Sequence, residues 1–198
     1  MRRLLALALA LAAAGCGSPA TKLFDLSPAH PPAAAGTAGP RRGPVIYVDP
    51  VKVAGYFDRT QMVIRTDDGR VSLHEFEVWS DPPAELIARA VVDDLAQRFG
   101  NDTVMATPAP SYAMADFRVQ IDVLRFDVDE HGAAVLDARW TLVAGRADKL
   151  VATRRERVET HVADPTDPSQ RVTALRAAVA ELSARIGDAV AGARASAG

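Results

Sequence analysis

FRVQIDVLRFDVDEHGAAVLDARW, residues 117–140, carries the pattern that decides the fold. Phe117, Val119, Ile121 and Val123 alternate with Arg118, Gln120 and Asp122, the period of a strand with one face on a core. The apolar phase then slips to Leu124, Phe126 and Val128, which places a β-bulge near Val123 to Arg125. His131-Gly132 marks a turn. Leu136, Ala138, Trp140 and Leu142 return as the next strand, with Asp137, Arg139 and Thr141 facing out.

Downstream, Lys149 to Val162 reads as a third strand, far more polar (Arg154, Arg155, Glu156, Arg157, Glu159), which suits a sheet edge. Asp167-Pro168-Ser169-Gln170 is a capping box with proline in the first turn. Val172, Leu175, Val179, Leu182, Ile186 and Val190 then recur at helical steps. Upstream, Val45 to Val48, Gln61 to Arg65 and Val71 to Val78 are strands. Asp67-Asp68-Gly69 joins the last two, and its Asp-Gly pair predicts a type I′ hairpin turn. Ser80-Asp81-Pro82-Pro83 opens a helix capped by Ser or Asp, with Leu86, Ile87, Ala90, Val91, Leu95 and Phe99 on one face and Gly100 as terminator. The sum is an α+β fold: an antiparallel sheet of hairpins and meander with two α-helices packed on one face.

The N-terminus sets the location. Arg2 and Arg3 precede an unbroken Leu/Ala run, Leu4 to Ala14, and Gly15 leads into Cys16, the only cysteine. That order is a secretory signal. The run is about half the ~20 residues of a spanning helix. A cysteine at the cut makes it a lipoprotein signal, with Cys16 the lipidation site carrying palmitate-type acyl chains; two or three chains hold a protein on a bilayer where one lets go. Ala13 stands where the usual lipobox has Leu. Gly17 and Ser18 follow, without an Asp that would retain the protein at the inner membrane, so the expected place is the periplasmic face of the outer membrane of a Gram-negative bacterium. Residues 1–15 are thus the signal peptide. Residues 16–43 hold the lipidated cysteine, a short strand at Lys22-Leu23-Phe24-Asp25-Leu26 and a Pro/Ala/Gly-rich loop. Residues 44–192 form the α+β domain, and 193–198 are expected to be a disordered tail. If the Phe24 strand docks, the domain is held close to the lipid surface; otherwise the tether extends to about residue 43.

Net charge is −2, so no basic footprint for nucleic acid exists. With Cys16 lipidated no thiol remains for a disulfide or a nucleophile. A Gly-rich phosphate loop and HExxH are lacking, and His30, His74, His131 and His161 are scattered. Asp127-x-Asp129-x-His131-Gly132 copies the first half of a calcium loop, but Ala138 stands where the bidentate acid belongs. The expectation is no enzyme, no metal and no cofactor. Trp79 and Trp140 read as core residues rather than ligand stackers. Arg154 to Arg157 reads as a solvated edge that could also meet an acidic partner. Tyr56 and Phe57, between Gly55 and Asp58 where the period breaks, leave two courses open. They dock a partner or a lipid tail, or their loop folds back on its own core.

These features together resemble the PqiC/YmbA-like ABC-transport auxiliary lipoproteins. The residues are the lipobox, the Leu23-Phe24-Asp25-Leu26 strand, the segment Val51 to Ile64 with Tyr56-Phe57-Asp58-Arg59-Thr60-Gln61, Trp79 before the first helix, Val123 to Phe126 and Leu136 to Trp140. Val53-Ala54 departs from the Leu-Pro-like turn usual there. The resemblance implies a non-enzymatic lipoprotein of an MCE lipid-transport system supporting membrane integrity. Its partners would be an MCE-domain (MlaD/PqiB-like) protein spanning the periplasm and, through it, an inner-membrane permease or ATPase. A homo-oligomer would suit a ring-shaped partner. Two functional classes follow: a tethered docking adaptor, or a carrier that binds a lipid or other small hydrophobic ligand. The carrier needs an apolar cavity, and the apolar positions are already used by two helices closing one sheet face.

Overall fold

Thirteen residues of the quoted stretch form one long strand, β7 (Phe117–Asp129), and every other part of the sheet is placed by pairing with it directly or through a neighbour. The computed structural model describes residues 20–27, 43–100, 103–107, 114–145 and 149–196. In chain order these form β1 (Lys22–Phe24), β2 (Ile46–Val48), β3 (Lys52–Val53), β4 (Gln61–Arg65), β5 (Val71–Trp79), α1 (Pro83–Phe99), β6 (Val104–Ala106), β7, β8 (Ala133–Ala144), β9 (Lys149–His161) and α2 (Pro168–Ala195). The class is α+β, with two helices on one face of a nine-stranded sheet that does not close.

On one side of β7 lie the antiparallel partners β8 and then β9. The pairing slips between Val123 and Arg125, so the bulge read from the change of phase is present. β9 has only β8 beside it and is a charged edge. The other side of β7 is parallel. Residues 46–65 run alongside it as three short pieces, β2, β3 and β4. β6 extends the sheet beyond β2 in parallel, and β1 does the same beyond β5. The sheet is therefore mixed: antiparallel hairpins at β4/β5 and β7/β8/β9, joined by parallel pairings between residues about seventy positions apart. Such pairings need crossovers and leave no local signal.

The Asp67-Asp68-Gly69 hairpin differs from the expected two-residue type I′ turn. Gly69 N–H donates to Thr66 O (3.2 Å) and Thr66 N–H donates to Arg70 O (3.0 Å), with Gly69 at φ 80°. This is a three-residue loop, in which the left-handed glycine follows the turn. Helix α1 also starts differently: its N-cap is Pro82, with no side-chain cap. The expected capping groups are engaged elsewhere, Ser80 Oγ with Asp25 Oδ2 (2.9 Å) and Asp81 Oδ2 with Arg89 (2.5 Å). At α2 the Asp167 cap forms, its Oδ1 accepting from Ser169 N–H at 2.8 Å, while Gln170 Oε1 reaches back to Asp164 N–H at 3.1 Å. Helix α2 continues through Ala193–Ala195, the first half of the segment expected to be a disordered tail.

The core lies between helices and sheet. Leu86, Ile87, Ala90, Val91 and Leu95 of α1 and Leu175, Ala178, Val179, Leu182, Ile186 and Val190 of α2 are buried against Val119, Ile121, Val123, Leu136, Ala138, Trp140 and Leu142. Both tryptophans are in it. Asp94–Arg176 and Arg98–Asp188 ion pairs tie the two helices together.

Gly132 and Gly145 both have positive φ (88° and 68°), but a Cβ on Gly132 would stand 2.5 Å from Val162 O, whereas one on Gly145 meets open space. Gly145→Ala should therefore cost about 1 kcal/mol of conformational strain, and Gly132→Ala clearly more, because backbone must move as well. Urea unfolding of the two variants beside wild type checks the order.

Candidate functional site

The site is built around Asp127, a carboxylate on β7 that is only 1% exposed. Between β3 and β4 the parallel ladder beside β7 is interrupted, because β3 ends on Val123 and β4 begins at Val128. The loop across this gap carries Tyr56 and Phe57. Tyr56 Oη donates to Asp127 Oδ2 at 2.6 Å and accepts the Phe126 amide at 3.3 Å, doing the work of the missing strand. Arg65 donates to the same oxygen (NH2, 3.1 Å) and stacks over the Tyr56 ring, 5.0 Å from its centroid. Arg125, aimed by the bulge, donates to Oδ1 through Nε at 2.8 Å. A buried charge persists only when its oxygens are filled in this way. Burial first, then the bond to Asp127, pushes the Tyr56 phenol up to about 12.

Phe57 is 2% exposed and packs edge-on to Tyr56 (4.9 Å) and against Phe126 (6.2 Å). Of the two courses open for this loop, the structure takes the fold-back. Phe57 offers no ring face to a partner or a lipid, and the Tyr56 hydroxyl is committed to Asp127. Cys16, the expected lipidation site, lies outside the described residues.

Asp127 is thus turned inward rather than toward a loop cation, and Asp129 Oδ1 accepts the amides of His131 and Ala133 (3.0 and 2.9 Å), shaping the turn. His131 pairs with Asp67 at 2.9 Å, a hydrogen bond that raises the imidazole pKa. With Glu130 these two make an exposed grouping whose ligand atoms lie within 4.8 Å of one another, at the hairpin tips.

A second buried charge lies on the helix side. Arg171 of α2, 2% exposed, is bonded to Glu77 of β5 and donates to Pro165 O at 2.7 Å, and burial lowers its pKa. His74 Nδ1 lies 3.0 Å from the same Glu77. The hollow beneath Arg171, lined by Phe57, Met62, Trp79, Phe126 and Leu175, has a volume of about 10 Å³. That is the lower limit for one water and far below an acyl chain.

The opposite face of the sheet divides in two. Over β7–β9 it is charged. Arg125, Asp137 and Arg157 share one row across three strands, and Arg155 grips Asp137 with both Nε (2.9 Å) and NH2 (2.7 Å), holding that carboxyl below its usual range. Over β5 and β1 it is apolar and exposed: Leu23, Val71, Leu73 and Phe76. Pattern reading missed both the Asp127 constellation and this apolar strip. The first needs a contact between residues seventy positions apart. The second needs the knowledge that β5 is covered on one side only.

The model of the ABC-type transport auxiliary lipoprotein component family matches residues 24–187. No curated protein matches the chain. Among solved structures, an uncharacterized protein is similar at 19% identity, with 86% of this chain and 98% of that chain covered and a TM-score of 0.69. Protein XCC0632 from Xanthomonas campestris is similar at 19% identity, with 81% and 92% covered and a TM-score of 0.64. At this identity the two structures support the fold.

Removing the carboxylate leaves two arginines facing each other in a dry site, so Asp127→Ala should lose about 3 kcal/mol or more in urea unfolding. Tyr56 adds a pH signature. A phenol whose pKa is raised from 10.0 to about 12 stabilises the fold fully below pH 10, and that contribution disappears as pH rises through the folded value. Wild type should therefore lose stability relative to Tyr56→Phe between about pH 10 and 12, with a matching late step in phenolate absorbance.

Proposed function

We infer that this chain, which belongs to the ABC-type transport auxiliary lipoprotein family, is a lipid-anchored docking subunit with no chemistry of its own. Cys16 carries the acyl chains at the periplasmic face of the outer membrane. The folded domain meets the periplasm-spanning MCE-type protein of a lipid-transport system, and through it the inner-membrane permease. The observation that carries this reading is the docking of β1 on β5, in which Lys22, Leu23 and Phe24 pair with Glu77, Val78 and Trp79. Only Gly17 to Thr21 then separate Cys16 from the folded domain, a reach of at most ~17 Å. A domain held that close to its anchor acts by position, presenting a surface at high local concentration.

The charged rows of β7–β9 lie on the same open face as the apolar strip, across the sheet from the anchor edge. Arg139, Arg155, Arg157 and Glu159 are exposed there, and this mostly basic surface suits salt-sensitive recognition of an acidic protein surface. The carrier reading finds less support: the apolar hollow beneath Arg171 measures about 10 Å³, and the larger one of about 410 Å³ beside Thr160, His161, Ala174 and Ala177 is an open depression between β9 and α2 rather than a cavity within the core. No helix among the described residues is long and apolar enough to cross a membrane.

Membrane fractionation with co-purification from detergent tests the reading. Wild type should sediment with outer membrane and bring down an MCE protein, and Cys16→Ala should become soluble. A soluble wild type would remove the anchor, while a clean pull-down without any transporter component would remove the docking role.

A further inference from the structure

We propose that the apolar strip on the outer face of β1 and β5 rests on the bilayer that holds the anchor, so that the domain lies in a fixed orientation instead of swinging on its tether. The proposal rests on the Cys16 anchor inferred above.

The strip follows from register. Val63 pairs with Leu73 and Gln61 with Val78, and Val63 and Gln61 share a face, so Leu73 and Val78 share it too. Leu23 pairs with Val78 and joins them, and Val71 lies two residues before Leu73. Between these pairings β5 carries three residues without a β4 partner, Glu75, Phe76 and Glu77. This wide bulge is pinned from behind. Glu77 is drawn to Arg171 on the helix side, and Trp79 packs on Phe126 at 6.0 Å, which leaves Phe76 on the outer face. Leu23 is 70% exposed, Leu73 41%, Phe76 40% and Val71 38%. Contiguous apolar surface of this extent, on the order of a few hundred Å², marks an interaction site.

The length of the tether names the occupant. Leu23 belongs to the strip and stands seven residues after Cys16, within ~24 Å along the chain even when fully extended. Acyl chains at Cys16 therefore bring lipid to the strip before any other surface. Lys22, exposed at one end of the strip, suits anionic headgroups; at the other end Arg70 is exposed but paired with Asp68 at 2.6 Å. Glu75, exposed in the same bulge, sets the depth: the strip lies at headgroup level, as amphipathic surfaces do, and does not enter the hydrocarbon.

The test uses the mature lipidated chain in vesicles of phosphatidylethanolamine and phosphatidylglycerol. Intact mass first confirms diacylglycerol on Cys16, which also frees an introduced cysteine from competition for label. Leu73→Cys, Phe76→Cys and, on the solvent side of α2, Ala180→Cys are each labelled with an environment-sensitive fluorophore; circular dichroism confirms the fold. In vesicles the labels at 73 and 76 should shift to the blue and be quenched by nitroxide lipids, while the label at 180 does neither. Lipidated, vesicle-bound protein with unquenched labels at 73 and 76 would overturn the strip and leave the anchor standing. So would equal quenching at 180, or a blue shift in detergent accompanied by doubled mass, which would assign the strip to a second copy. An unmodified Cys16 with no vesicle binding would overturn both readings.

Discussion

One edge of the sheet hangs on one buried carboxylate. β1, β5 and β4 form that edge, yet β4 meets β7 through only two residue pairs, Ile64 with Val128 and Arg65 with Asp129. Two pairs are too few to hold a hairpin rigidly. The joint is completed by Asp127, which collects Tyr56, Arg65 and Arg125 from the gap loop, from β4 and from the bulge. A second clasp, Arg171 to Glu77, ties β5 to α2 from the other side of the sheet.

The two faces of the sheet differ in what covers them. The helix face is filled: side chains from both helices and from β7 and β8 interlock there, as in any well-packed interior. Among its polar members, Glu77 takes both Arg171 and His74. The open face carries no comparable cover, and its polarity changes along the sheet. Exposed aliphatic and aromatic side chains gather over β1 and β5, and arginines and acids occupy most of β7 to β9, with Leu150 exposed near the start of β9.

Much of this was legible in the residues. The phase slip at Val123 to Arg125 located the bulge, Asp167-Pro168-Ser169-Gln170 located the start of α2, and the charges of 154–157 located an edge. Each is a local signal, with the cause and the effect within a few residues. The parallel pairings of β2, β3 and β4 with β7 were not legible, because pairing across seventy positions leaves no mark on either strand. Tyr56 shows the limit for the site. From sequence its loop could face out or in, and what turns it inward is Asp127, itself readable only as half of an ion-binding loop. The apolar strip hid for a related reason: Val71 and Leu73 alternate like any half-buried strand, the bulge at Glu75 to Glu77 breaks the period before Val78, and only the topology shows which half is left uncovered.

Native-state hydrogen exchange on Asp127→Asn tests the joint most directly, since it reads local opening segment by segment. The account predicts that the amide of Phe126 and those of β4 and the neighbouring half of β5 lose protection together, while Val119, Ile121, Leu136 and Leu142 keep theirs. Protection of β4 and β5 equal to wild type, or a uniform loss over the whole sheet, would contradict it.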